Sequence, residues 1–105
     1  MPESIFEKEH QYFFHTFHRL PLEIERGEGV YLYANDGKRY LDFFGGLAVN
    51  ALGYNHDRIN AAIEEQLHRY IHLSNYYVHN KTVELAERIL SASGYKRIFF
   101  SNSGT

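Results

Sequence analysis

A chain of 105 residues, 44% of them hydrophobic, has room for one modest core and too much apolar content for disorder. The net charge of −2 with scattered Lys and Arg argues against nucleic acid as a partner, and the lack of cysteine removes disulfides and thiolate metal sites. No apolar run approaches the roughly 20 residues of a membrane helix, and the opening Met1-Pro2-Glu3-Ser4 lacks the pattern of a signal peptide, so a cytoplasmic protein is the default expectation.

The first element announces itself by its cap. Ser4-Ile5-Phe6-Glu7 is a capping box, in which a hydroxyl and a carboxylate satisfy each other's orphan amides. Phe6, His10, Phe13, Phe14 and Phe17 follow at helical spacing, so a helix is predicted over 5–14, with Leu20-Pro21 ending helical structure. A hairpin comes next. Val30 to Tyr33 and Tyr40 to Phe43 are rich in aromatic and branched residues and flank Ala34-Asn35-Asp36-Gly37-Lys38, whose Asp-Gly pair supplies the positive φ of a tight turn. Two strands alone are marginal, so a third partner is required. Residues 43–55, with Gly45, Gly46 and Gly53, read as loop.

Asp57 is the expected N-cap of a helix, and Ile59, Ala62, Ile63, Gln66, Leu67 and Tyr70 share one face of that helix. Glu64 with His68 and Glu65 with Arg69 add support at i,i+4. A further helix follows Asn80, turns Val83, Ala86, Ile89 and Leu90 inward, and stops at Ser93-Gly94 with a glycine C-cap. Lys96 to Phe100 reads as a short strand buried on both faces, as in a parallel sheet. Such a sheet needs further strands, and this is the single candidate, so the sequence looks unfinished.

Chemistry concentrates at Ser101-Asn102-Ser103-Gly104-Thr105. Small residues after a strand expose amides and hydroxyls, and with a helix N-terminus beyond them they form a phosphate cradle; the same residues also make an ordinary loop. The seven histidines suggest metal binding, but neither His68 with His72 nor His15 with His18 carries a metalloprotease pattern, so no metal site is expected. Asp42 and Asp57 read as strand-end and helix-start residues rather than an acid/base pair. The 16% aromatic content, nine Tyr and eight Phe, suggests a substantial core or an interface.

Several runs together resemble class III (ornithine-type) aminotransferases: Gly27-Glu28-Gly29-Val30-Tyr31-Leu32, Asp36 to Phe43, Gly45-Gly46-Leu47-Ala48-Val49-Asn50-Ala51-Leu52-Gly53 with His56, His72-Leu73-Ser74-Asn75, and the closing Phe99 to Thr105. The Ala-Val-Asn and Ser-Asn pieces are most similar to the acetylornithine branch. The family often has Gly-His-x-His-Pro where this chain reads Gly53-Tyr54-Asn55-His56-Asp57; Asp for Pro keeps a helix start, and Tyr for His is the departure.

The resemblance implies an α/β fold-type I architecture: a helix and β-hairpin of the small domain over 1–56, then two helices and the first strand of a parallel sheet opening the large domain over 57–105. It implies pyridoxal 5'-phosphate as cofactor, a homodimer, and transfer of an amino group from N-acetylornithine to 2-oxoglutarate in arginine biosynthesis. Ornithine, succinylornithine and 4-aminobutyrate are alternative donors, and a non-enzymatic α+β interaction module is the rival from another class. Ser103, Gly104 and Thr105 correspond to the turn that binds the cofactor phosphate, and Leu47 to a position lining the substrate pocket. Tyr76 and Tyr77 face either the subunit interface or the core. The lysine that holds the cofactor as a Schiff base has no counterpart, since Lys8, Lys38, Lys81 and Lys96 match none of its motif. The expectation is therefore an N-terminal fragment, inert by itself and without specific cofactor binding, because an α-carboxylate on Thr105 would stand where a phosphate should sit.

Overall fold

The structure, a computed structural model, describes residues 1–104. The chain divides into two compact units, Met1–His68 and Arg69–Thr105. In the first unit, helix α1 (Ile5–Tyr12) begins at the expected capping box. The Ser4 amide donates to Glu7 Oε2 at 2.7 Å and the Glu7 amide to Ser4 Oγ at 3.2 Å. The helix stops short of the predicted Phe14 because Phe13 turns extended (φ −103°, ψ 148°). The chain then folds back on α1. His15 stacks on His10 with ring centroids 4.3 Å apart and donates Nε2–H to the His10 carbonyl at 2.9 Å. Arg19 binds Glu9 and lies over the rings of Phe13 and Phe17.

The hairpin forms as β2 (Tyr31–Ala34) and β3 (Arg39–Leu41), in register Tyr31↔Leu41, Leu32↔Tyr40, Tyr33↔Arg39. Its turn closes through Gly37, whose amide donates to the Ala34 carbonyl at 3.0 Å. The required third strand is β1 (Ile24–Glu28), antiparallel to β2, with an irregularity between Ile24 and Arg26. Its sequence, Ile-Glu-Arg-Gly-Glu, has little intrinsic strand character. Part of what holds it is cross-strand: Arg26 sits 3.8 Å over the Tyr33 ring it pairs with, as Arg39 sits 4.3 Å over Tyr31. Ala34 is the one buried hydrophobic residue among those described, at 4% exposure.

The segment 43–55 is more ordered than a plain loop. Residues Gly45–Ala48 form a single turn, α2, and all four have positive φ: 54°, 65°, 59° and 66°. It is a left-handed turn. Helix α3 (Asp57–Leu67) follows, with His56 at the N-cap making no side-chain bond. Asp57 is thus the first helical residue rather than the cap, and supports the helix through the dipole instead. Because α3 ends at Leu67, Tyr70 does not extend its apolar face.

In the second unit, α4 (Asn80–Ser93) ends as expected on Gly94 at φ 76°, whose amide donates to the Leu90 carbonyl at 3.0 Å. Ala86 and Leu90 are half-buried, whereas Val83 and Ile89 stay exposed. His79 hydrogen-bonds Thr82 at 2.7 Å and meets the Tyr70 ring edge-on. The predicted strand over 96–100 does not form as a ladder. A strand needs a hydrogen-bonding neighbour, and among the described residues of its unit no other strand is present. Among the described residues no helix is long and apolar enough to cross a membrane.

Candidate functional site

Two places carry the residues singled out from the sequence, one in each unit. In the first, Leu47 rides on the left-handed turn with 81% of its surface exposed. For L-residues this conformation costs about 1–2 kcal/mol each, so Leu47 and Ala48 are held there by something other than preference. Just past β3, Asp42 takes up the amides that lead into the turn. One carboxylate oxygen accepts the Phe44 amide at 2.9 Å; the other accepts the Gly45 amide at 3.0 Å and the Tyr54 hydroxyl at 2.5 Å. Within the turn, Gly45 O accepts the Asn50 amide at 2.7 Å and Phe44 O the Ala48 amide at 2.9 Å.

The far end of the segment is fixed by backbone. Gly29 and Tyr54 exchange amide–carbonyl bonds of 3.0 and 2.8 Å in an isolated antiparallel bridge. At Gly53, with φ +83°, a Cβ would come within 2.7 Å of the Gly29 oxygen. The Tyr54 ring lies directly on Gly27, where a Cβ would stand 2.5 Å from the ring's Cγ.

The Asp42–Tyr54 bond shifts both groups. Asp42 is held below its ordinary 3.8, first by the Tyr54 hydroxyl and then by the Phe44 and Gly45 amides, with desolvation opposing. Tyr54 is raised above 10.0, first by its bond to Asp42, then by desolvation and the Asp42 charge, with an Asn50 hydrogen bond opposing. The Asp42 contribution to stability is therefore present above pH 3.8 and is lost as pH falls through its lower folded value. That of Tyr54 is present below pH 10.0 and is lost as pH rises through its higher folded value. By sequence Asp42 reads as a strand-end residue; the structure makes it an acceptor for three donors. An acid at the end of a strand, directly before a glycine-rich turn, was the signal that an amide clamp belongs there.

Beside this turn an open cavity of about 500 Å³ is lined by Asn50, Leu52, Tyr54, His56, Ile59 and Asn60 among others. His56 Nδ1 is the one buried side-chain polar atom without a partner among the described residues.

In the second unit, the stretch after α4 is exposed and carries neither helix nor strand. Ser101 Oγ donates to the Ser103 carbonyl at 2.6 Å, curling the chain before Gly104. A Cβ on Gly104 would meet nothing within 4 Å. From Phe99 to Gly104 the stretch carries hydroxyls and amides and no carboxylate side chain, a donor set suited to an anion. Thr105 lies outside the described residues. Tyr76 and Tyr77 are exposed, at 96% and 66%, so neither packs into a core of its unit. No group of three His, Asp or Glu side chains is placed to hold a metal ion among the described residues.

Residues 12–105 match the family model for Aminotransferase class-III. The chain is 46% identical over 91 residues to an acetylornithine aminotransferase of Agrobacterium fabrum, covering 87% of this chain and 23% of that protein. It is 42% identical over 98 residues to one of Archaeoglobus fulgidus, covering 93% and 26%. Among solved structures it superposes on an acetylornithine aminotransferase from Elizabethkingia anophelis with a TM-score of 0.83, at 30% identity over 88% of this chain and 24% of that one. An omega transaminase from Pseudomonas jessenii in complex with PMP gives 0.82 and 35%, over 97% and 25%. The chain thus spans about a quarter of the length of the curated relatives it matches.

Proposed function

The chain belongs to the class-III aminotransferase family, and from that premise we propose that it is part of a pyridoxal 5'-phosphate enzyme that moves the amino group of N-acetylornithine to 2-oxoglutarate, serving arginine biosynthesis. The observation that carries this reading is the 46% identity to an acetylornithine aminotransferase across 87% of the chain. In this reading residues 1–56 belong to the small domain and 57–105 open the large one, and two subunits form the active enzyme. The exposed Tyr76 and Tyr77 suit that subunit interface.

When bound, the cofactor would supply an electron sink at the carbon that bears the transferred amino group, which in N-acetylornithine is the δ-carbon because the α-amino group is acylated. The chain's own residues bind and orient. Ser103, Gly104 and Thr105 offer hydroxyls and amides to the phosphate, and the exposed, carboxylate-free stretch ending at Gly104 fits that task. Leu47, projecting from its turn, lines the substrate pocket. None of Lys8, Lys38, Lys81 and Lys96 matches the lysine that moves protons in this family, so the 105 residues by themselves are inert.

The test uses the longer enzyme carrying this segment. Turnover with N-acetylornithine should exceed that with ornithine, succinylornithine or 4-aminobutyrate, and preference for another of these donors overturns the substrate reading. Ser103→Ala should weaken cofactor retention by about 10-fold or more, as for one hydrogen bond to a charged group. Unchanged retention overturns the phosphate assignment, and transamination by residues 1–105 alone overturns their inertness.

A further inference from the structure

The stretch from Asp42 to Tyr54 is a loop pinned at both ends to one place on the sheet. At its start the Asp42 amide donates to the Val30 carbonyl at 2.9 Å; at its end Tyr54 and Gly29 exchange two backbone bonds. Gly29 and Val30 are adjacent, in the connection between β1 and β2. The side chains of the two end residues then close on each other, Tyr54 Oη to Asp42 Oδ2 at 2.5 Å, the short distance of a hydroxyl donating to an ionised acceptor. The same carboxylate grips the amides of Phe44 and Gly45, which lead into the left-handed turn. The Asn50 side chain reaches the Tyr54 hydroxyl and also lies against Gly46.

We propose that Tyr54 is a positioning residue: its hydroxyl, held on Asp42, locks the Asp42 carboxylate onto the Phe44 and Gly45 amides and so keeps Leu47 and Ala48 in the left-handed conformation that turns Leu47 outward. This rests on the reading of Leu47 as a pocket residue, and it assigns a task to the Tyr that stands where the family often has His. With the hydroxyl removed, the carboxylate loses one of its three donors and swings free. Among the described residues Leu47 makes no hydrogen bond to a group outside the turn. The other charged groups nearby are engaged or neutral in this respect. Arg26 and Glu28 of β1 bind each other at 2.9 Å, and Arg39 of β3 lies over Tyr31. His56 follows Tyr54 by two residues, with Nδ1 buried and unpartnered.

The experiment is an amide NMR titration of the longer enzyme carrying this segment, selectively labelled, from neutral to acid pH, in the wild type, Tyr54→Phe and Asp42→Asn. Phenylalanine keeps the ring on Gly27 and deletes only the hydroxyl. In the wild type, Leu47 and Ala48 should show the strong intraresidue amide–Hα contact of positive φ. The amides of Phe44, Gly45, Leu47 and Ala48 should titrate with one midpoint below 3.8, while Leu32 and Tyr40 in the sheet stay unmoved. Tyr54→Phe should raise that midpoint and abolish the positive-φ signature at Leu47 and Ala48. Asp42→Asn should abolish both the signature and the titration. The proposal is overturned if the wild type lacks the signature, if Tyr54→Phe leaves the signature or the midpoint unchanged, or if the sheet amides move with the same midpoint, which marks global melting. None of these readouts involves substrate. The pocket reading fails separately, if Leu47→Ala in the longer enzyme leaves donor preference unchanged while the signature persists.

Discussion

Tyr54 explains why position 27 is glycine. The ring's Cβ and Cγ, its least movable atoms, would lie 2.7 and 2.5 Å from a Cβ at that position, closer than real contacts allow. Gly27→Ala must therefore push the ring away and draw its hydroxyl off Asp42. The expected outcome is that the Phe44 and Gly45 amides exchange with solvent faster, while the β2–β3 amides keep their protection; hydrogen exchange read residue by residue checks this, and equal protection at Phe44 and Gly45 contradicts it. From the sequence alone, Gly27 and Tyr54 are far apart, and nothing in their local neighbourhoods announces that one lies on the other. The same holds for Asp42. Its place after a strand was legible, but its three donors were not, because one of them comes from residue 54.

Elements marked by local chemistry were the ones the sequence disclosed. The capping box at Ser4 and Glu7, the Asp-Gly turn between β2 and β3, and the Gly94 C-cap each depend on atoms within four residues, so the sequence contains all the parts. Ser4→Ala should lower the stability of α1 by about 1 kcal/mol, visible as lost helical protection at Lys8, whose amide makes the first bond of the helix to the Ser4 carbonyl at 3.1 Å; no loss there would mean that contacts with the segment 13–19, not the cap, hold the helix. The periodicity of Phe13 and Phe17 predicts helix up to Phe14, but the helix ends at Tyr12, and the same spacing lets Arg19 lie over both rings. Strand β1 escaped notice for a related reason: its charged and glycine residues become a strand only through Tyr33 and the rest of β2. The left-handed turn escaped because a glycine pair permits it without requiring it, and what requires it is the Asp42 clamp.

Taken whole, the chain exposes 10230 Å². A protein of 12.3 kDa packed as one body exposes about 6100 Å², and about 7300 Å² if the two units were each compact by themselves. Large apolar side chains contribute to it, with Phe43, Phe44, Val49, Ile71, Val78 and Phe99 all exposed. A free-standing α+β module would bury such residues, so the surface favours the reading of the chain as part of a larger assembly. By itself the chain should bind a hydrophobic dye such as ANS and melt over a broad range without a sharp transition; a monomeric, cooperative melt with no dye binding would restore the module. The closing Ser-Gly-Thr motif, the glycine-rich turn and the hairpin were enough for the sequence by itself to determine the family and the elements closed by local hydrogen bonds. Only the tertiary structure decided that β1 is a strand, that 96–100 is not one here, and that Asp42 and Tyr54 meet. The reason is physical: caps and turns bring their own partners within a few residues, whereas a strand, a clamp and a buried face exist only when a distant part of the chain supplies the other half.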